Sequence, residues 1–368
     1  MAAVSIDIAI VNYRGAADTL QALARLANWP HGTVWLVDNS AHELDMAADA
    51  ARLREASAAM PSVRLLTPGD NLGFGRACNL AFVQSHSEFF LLLNPDARIA
   101  MDDVLLLSQA LQAQPRLGAV SPKIYWNEQR SFLLPAAFGQ SPRHSLGLAL
   151  ASRLPRATKW AAGRALTQAM RQMAGSETFD VDFLAGAVLL LRRAAVLSSG
   201  GLFDPDYFMF FEDSDLSLRL RRAGHGLAMA PAVSAVHEYR HKAFKGGLMA
   251  QSQQQYFAKQ FPGFYRWSGQ LSRLGALARP VVPGAWFSSL PYPITSAQQF
   301  AQRTNGAKVL AFSPSMLMMP AIFRPSLAQA RGFDDDEWAL LEPAAYTALI
   351  QAAGAAPQWI YFERASSD

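Results

Sequence analysis

Phe89-Phe90-Leu91-Leu92-Leu93-Asn94-Pro95-Asp96-Ala97 is an apolar run that stops on a polar turn. A short apolar run bounded by turn formers reads as a buried strand. Outward from it, the first 120 residues alternate strand-like and helix-like stretches. Ser5–Asn12, Val34–Asp38 and Val63–Thr67 join Phe89–Leu93 as strands, and Ala16–Leu26, Met46–Ala58 and Gly75–Ser85 read as helices. A further helix, capped by Asp102 or Asp103, runs to Ala113. This alternation requires crossover connections and a mostly parallel sheet covered on both faces. Such sheets bind ligands beyond the carboxyl ends of their strands. Those ends carry Asn12-Tyr13-Arg14, Asp38-Asn39-Ser40, Asn71-Leu72-Gly73-Phe74-Gly75 and Asn94-Pro95-Asp96-Ala97. Any one is a plain turn. Four on the ligand-binding edge describe a crevice.

Composition bounds the rest. The chain has 368 residues, 51% hydrophobic and 17% charged, enough for a sizeable core over one or two domains. Its single cysteine, Cys78, excludes an intramolecular disulfide and a Cys-rich zinc site. No apolar run reaches the ~18 residues of a spanning helix, and the N-terminus lacks a basic leader, so a cytoplasmic setting is expected. The net charge of +4 is unevenly spread. Gln129–Ser176 has no acidic residue but carries Arg130, Arg143, Arg153, Arg156, Lys159, Arg164 and Arg171; a second acid-free stretch runs from Tyr239 to Phe333. Such zones attract phosphates or serve as solvated faces.

After Ser121 the alternation loosens. Arg153–Met173 has the pattern of a basic amphipathic helix, suited either to an anionic membrane surface or to ordinary core packing. Phe179–Arg193 reads as a buried strand, Gly200–Phe211 as an aromatic loop, and Asp213–Arg222 as a helix closed by Gly224. Pro280, Pro283, Pro291 and Pro293 mark a linker before a separate mixed segment. Asp334-Asp335-Asp336-Glu337 reads as a solvated helix start.

Two motifs point elsewhere and fail on context. Gly73-Phe74-Gly75-Arg76-Ala77-Cys78 partly matches a dinucleotide fingerprint, but it follows the third strand and has Cys78 where Gly or Ala belongs. His237-Glu238-Tyr239-Arg240-His241 matches H-E-x-x-H, yet Val233–Val236 feeds it as a strand, and no His, Asp or Glu follows between Lys242 and Phe333. Asp96 fits a magnesium or manganese site shared with a diphosphate, with His237 as a second ligand. Glu212, Asp213 and Asp215 sit at a helix start, where acids complement the dipole and Asp213 could serve as N-cap. They also follow Tyr207-Phe208-Met209-Phe210-Phe211, and an aromatic wall beside a carboxylate suits a sugar site.

Taken in order, these segments resemble the inverting family 2 glycosyltransferases of the GT-A fold, rhamnosyltransferase-type enzymes in particular. Val11-Asn12-Tyr13, Val37-Asp38-Asn39-Ser40, Asn71–Gly75, Leu93–Asp96, Phe183–Val188, Phe203-Asp204, Glu212–Leu216 and His237 carry the resemblance. It implies a Rossmann-like α/β fold, a mostly parallel mixed sheet with helices on both faces, over residues 1–265, with a C-terminal extension over 266–368. It implies a nucleotide pocket at Asn12, Tyr13, Asp38, Asn71, Gly73 and Phe74. Asp96, Gly186 and Ala187 would lie beside the donor sugar, Asp96 and His237 on a divalent metal, and Glu212 and Asp215 by the acceptor. Asp213 would be the base. The implied reaction moves a hexose or deoxyhexose, such as rhamnose, from a dTDP- or UDP-linked donor to a saccharide or polyprenyl-diphosphate-linked acceptor in surface polysaccharide synthesis. Peripheral contact with the inner face of the cytoplasmic membrane follows from that acceptor, and no nucleic acid partner is expected. Asn94 replaces the first acid of the family's Asp-x-Asp motif, which bears on metal dependence; Arg240 and Lys242 could assist the diphosphate. The rival readings are a carboxylate-pair glycosidase, which needs no nucleotide pocket, and an inactive GT-A scaffold that binds glycan or lipid.

Overall fold

The computed structural model describes residues 4–135, 139–151, 154–238, 246–266, 287–315 and 321–365. In chain order the elements are β1 (Ile6–Asn12), α1 (Ala16–Leu26), β2 (Val34–Asp38), α2 (Ala47–Ala58), β3 (Val63–Leu66), α3 (Gly73–Gln84), β4 (Phe89–Leu93), β5 (Ala97–Ile99) and α4 (Met101–Ala113). Then come β6 (Leu117–Tyr125), β7 (Leu133–Leu134), α5 (Pro142–Ala151), α6 (Pro155–Ala174), β8 (Phe179–Asp180), β9 (Val188–Arg192), α7 (Arg193–Ser198), α8 (Glu212–Arg222), β10 (Gly226–His237) and α9 (Gly246–Gln260). The last described stretch holds β11 (Ser288–Ser289), α10 (Ala297–Arg303), β12 (Lys308–Ser313), β13 (Ile322–Phe323), α11 (Asp335–Leu340), β14 (Ala344–Gln351) and β15 (Gln358–Arg364).

The chain forms two compact units. The first comprises Met1–Lys123, Ser176–His237 and Gly247–Gln260. Its strands run in the order β6-β9-β4-β1-β2-β3. β1 is parallel to β2 and β4, and β2 to β3, while β9 is antiparallel to β4 and β6. Every residue of β4 is buried, as an apolar run covered on both faces demands. α1 turns Ala16, Thr19, Ala22, Leu23 and Leu26 inward, the spacing of one helical face.

Local differences from the sequence reading have local causes. Ala100, not Asp102 or Asp103, precedes the first turn of α4; the two acids lie within that turn, where they complement the helix dipole. Phe179–Arg193 is not one strand. It breaks into β8 and β9, and the intervening segment reaches α8, where Leu184 N donates to Ser217 Oγ at 3.3 Å.

The second unit comprises Ile124–Gly175, Glu238–Gly246 and Phe261–Asp368. Its order is β11-β15-β14-β12-β13-β7, with the last residues of β6 pairing β7 through Ile124 opposite Leu134. Residues 124–175 therefore group with the C-terminal segment, whereas the sequence places the division near residue 265. The cause is an aromatic core: Trp126 and Phe132 pack with Phe300, Phe312, Phe333 and Trp338. The Phe132 and Phe312 rings meet edge to face at 5.1 Å.

The acidic run is only partly solvated. Asp334 caps α11, accepting from Glu337 N at 2.8 Å, but the Glu337 side chain is fully buried. Its two oxygens accept from Arg324 at 2.7 and 3.0 Å, and Arg331 adds a second cation. Arg324 is itself buried and lies 3.9 Å over the Phe132 ring. Glu337→Ala leaves that guanidinium buried without its carboxylate, so urea unfolding should show a loss of roughly 3–5 kcal/mol. A loss below ~1 kcal/mol would mean that Arg324 finds water instead.

Candidate active site

β1 and β2 end in register, with Asn12 opposite Asp38. Asn12 Nδ2 donates to Asp38 Oδ1 at 2.9 Å, and Ser40 donates to the same oxygen through its backbone N at 3.2 Å and its Oγ at 3.0 Å. Asn12 Oδ1 in turn accepts from Thr19 Oγ1 at 2.9 Å and Gly15 N at 3.2 Å. Asn12 and Asp38 are buried and held by this network, whereas Tyr13 is 45% exposed. The second and third loops are joined by Asn39, whose Nδ2 donates to Asn71 Oδ1 at 2.9 Å and to Gly73 O at 3.1 Å. Asn39 and Ser40 were legible as part of a strand-end loop; Thr19, which anchors Asn12 from the first helix, was not.

Gly73 has φ +75, and a Cβ there would lie 2.2 Å from Phe208 O. This close approach lets Phe74 N donate to Phe208 O at 2.9 Å. α3 grips the same aromatic loop further along: Asn79 exchanges hydrogen bonds with the Phe203 backbone at 2.7 and 2.9 Å, and Arg76 Nε donates to Pro205 O at 2.6 Å. α9 grips it from its own side through Ser252 Oγ to Met209 O at 2.7 Å and Lys259 to Asp204 at 2.7 Å. Between these clamps Phe210 and Phe211 both adopt the left-handed conformation, with φ 69 and 65. Bulky residues avoid that region, at a cost on the order of 1–3 kcal/mol each. Phe211, not Asp213, is the N-cap of α8.

The three acids at the start of α8 have separate surroundings. Asp213 is half-buried; its Oδ1 accepts from Ser214 N at 2.7 Å and its Oδ2 from Gly186 N at 3.4 Å. The next residue, Ala187, accepts Asn94 N at 2.8 Å. The turn after β4, the segment before β9 and Asp213 thus share one hydrogen-bonded strip. Burial raises the Asp213 carboxyl to about 6, with the Gly186 and Ser214 N–H groups opposing. Glu212 is raised further, to about 8, by burial and then by the Asp213 charge. Its Oε2 is buried with no hydrogen-bond partner, and its Cβ lies 3.7 Å from where a Gly75 Cβ would stand.

Two expected acceptor contacts therefore lie in the interior. Glu212 faces α3. Asp215 has no exposed surface: Arg219 Nε donates to its Oδ2 and Gln260 Nε2 to its Oδ1, both at 2.6 Å. Arg219 also donates to Gly201 O and Leu202 O, so Asp215 fixes the root of the aromatic loop. Gly186 and Ala187 lie on the Asp213 strip. A Cβ on Gly186 would meet only the Phe74 ring at 3.5 Å, an ordinary contact, so the chain itself does not demand glycine there.

Asp96 and His237 do come together. β5 pairs with β10 with Ala97 opposite His237, which sets Asp96 Oδ1 3.3 Å from His237 Nε2. Adjacent ligands on an octahedral ion with bonds of ~2.1 Å stand about 3 Å apart, so one carboxylate oxygen and one imidazole nitrogen fit two corners of such a shell. Among the described residues no group of three His, Cys, Asp or Glu could hold a metal, so further ligands would come from substrate and water. His237 ends a strand, which removes the helix that a zinc-protease reading requires. Tyr239, Arg240, His241 and Lys242 lie outside the described residues.

Polar loops at the ends of parallel strands, with a carboxylate at the root of an aromatic loop, fit the class of GT-A folds. Residues 6–260 match the family described as glycosyltransferase like family 2, and the chain belongs to that family. It is 34% identical over 203 residues to an N-acetylglucosaminyl-diphospho-decaprenol L-rhamnosyltransferase of Mycobacterium tuberculosis, covering 51% of this chain and 61% of the relative. It is 28% identical over 180 residues to rhamnosyltransferase WbbL of Escherichia coli strain K12, covering 47% of this chain and 63% of that one. The chain thus matches less than two thirds of either relative's length. Among solved structures it is similar to GalNAc-T7 crystallised with UDP, GalNAc and Mn2+, with TM-score 0.51 and 12% identity over 76% of this chain and 52% of that one. That likeness shows the fold.

The raised carboxyls carry a stability consequence. The folded state holds protons that the unfolded chain has released, so this contribution is present at low pH and lost as pH rises. The window runs from the ordinary values of 3.8 and 4.5 up through about 6 and about 8. Glu212→Gln removes the larger part. Its thermal midpoint should exceed that of the wild type by a few degrees near pH 9 and match it near pH 5. Equal midpoints near pH 9 would show that Glu212 ionises freely.

Proposed function

We propose that this chain is an inverting glycosyltransferase that moves a hexose or deoxyhexose, L-rhamnose first among them, onto the saccharide of a polyprenyl-diphosphate lipid in surface polysaccharide synthesis. The donor is a thymidine or uridine diphosphate sugar. The printed activities of the two relatives support the sugar, and the decaprenol carrier of one supports the acceptor. The observation that carries the mechanism is the strip joining Asp213 through Gly186 and Ala187 to the turn at Asn94.

Asn12, Tyr13, Asp38, Asn71, Gly73 and Phe74 hold the nucleotide, and Asp96, Gly186 and Ala187 border the donor sugar. Asp213 accepts the proton of the acceptor hydroxyl as that oxygen attacks the anomeric carbon. The bond from that carbon to the diphosphate oxygen breaks, and its electron pair leaves with the nucleoside diphosphate. One displacement inverts the centre and needs no nucleophile on the protein. A carboxyl raised to about 6 suits a base, being ionised at neutral pH yet more basic than an ordinary aspartate. Asp96 and His237 would hold a divalent metal, which supplies charge neutralisation at the leaving diphosphate. Among the described residues no helix is long and apolar enough to cross a membrane. A lipid-linked acceptor brings the enzyme to the inner face of the cytoplasmic membrane.

The test is Asp213→Asn, assayed with dTDP-rhamnose and a polyprenyl-diphosphate saccharide. Turnover should drop by roughly a hundredfold to ten-thousandfold while calorimetry shows donor binding unchanged. In the wild type, kcat/KM should fall tenfold per pH unit below about 6, the acid limb of the Glu212–Asp213 pair. An Asn variant with normal turnover would end the assignment of Asp213 as base.

A further inference from the structure

In the second unit α6 buries one side and exposes the other. Thr158, Ala162, Leu166 and Met173 are buried, while Arg156, Trp160, Arg164, Thr167 and Arg171 are exposed. At 100° per residue these five positions fall within about 80° of the circumference; exposed Ala174 joins the same stripe, and exposed Gln168 lies about 40° beyond it. At 1.5 Å per residue they extend over about 22 Å. This stripe alternates cations with one aromatic ring. Trp160 is 66% exposed, and the Arg164 guanidinium stands 5.0 Å from its centroid. Leu154, at the helix entrance, is 58% exposed.

Two features separate this stripe from a merely solvated face. A solvated face mixes both signs of charge, but no acid occurs from Gln129 to Ser176. A solvated face also has no use for an open Trp and Leu. Tryptophan settles at the membrane–water boundary with its ring in the headgroup layer. Arginine stems lie along apolar surface while their heads reach phosphate. The stripe has both parts in one line, which is the chemistry of an anionic bilayer surface.

We infer that the outer face of α6, Arg156–Trp160–Arg164–Arg171, docks the protein on an anionic lipid surface. The inference names a partner for the enzyme proposed above and rests on that reading only for why the acceptor is found there. Nucleic acid offers phosphates too, but a duplex backbone has no apolar layer for Trp160 and Leu154.

The full chain is sedimented with vesicles of phosphatidylcholine alone or with about a third phosphatidylglycerol. The wild type should bind the anionic vesicles at least tenfold more tightly, and added salt should weaken that binding. Replacing Arg156, Arg164 and Arg171 together by Gln removes three exposed charges, each worth about fivefold, so affinity should drop roughly 100-fold. Trp160→Ala should weaken binding at every salt concentration, and a blue shift of Trp emission on vesicle addition should vanish with it. Circular dichroism confirms that both variants fold. Charge-variant binding equal to wild type, or equal wild-type binding to the two vesicle types, overturns the inference. So does tighter binding to a DNA duplex than to the anionic vesicles. Asp213→Asn should sediment like the wild type, so loss of catalysis and loss of membrane docking are read separately.

Discussion

The site depends on two residues held in a conformation they do not favour. Phe210 and Phe211 both have positive φ, and together they turn the chain sharply enough to start α8 directly at Glu212. Nothing in two phenylalanines prefers this geometry. It persists because α3 holds Phe203, Pro205 and Phe208 by hydrogen bonds, while α9 holds Met209 and Asp204. The Tyr256 ring of α9 packs against Phe211 at 5.5 Å and closes the clamp. Strain of this kind must be over-determined by its surroundings. Here both clamps meet on the loop that leads into α8.

The same enclosure creates the chemistry. An aspartate in open water would be a weak base with an ordinary carboxyl. Burial of Asp213 penalises its charge, and the Gly186 and Ser214 N–H groups return part of that penalty. The result is an Asp213 carboxyl raised to about 6. Glu212, with an unpartnered buried oxygen, bears the larger penalty and stays protonated past neutrality.

Most of the first unit was legible because its signals are local. β4 is a pure apolar run, α1 has one apolar stripe, and each of the four strand-end loops contains its own turn residues. The bounds of α1, β2 and β4 coincide with the sequence reading residue for residue. What stayed hidden was non-local. No pattern in Phe179–Arg193 shows that its middle must leave the sheet to reach α8, since that need is set by Ser217 and Asp213 about 30 residues away. The grouping of Trp126 and Phe132 with Phe312 and Phe333 likewise joins segments about 180 residues apart. Glu337 looked solvated because its partner Arg324 precedes the helix and pairs only through the fold.

The start of α8 shows why spacing alone could not divide the labour among its acids. Successive helical residues turn by about 100°, so Glu212, Asp213 and Asp215 point in three directions from one turn. The first direction meets α3 and gives a buried neutral acid. The second meets the strip leading to Asn94 and gives a half-buried carboxyl raised to about 6. The third meets Arg219 and Gln260 and gives a structural ion pair. Each role follows from what the neighbouring element presents: a helix face, two backbone N–H groups, or a guanidinium. A dipole argument treats the three acids alike, since all sit at the positive end of the helix. Only their contacts set the three apart.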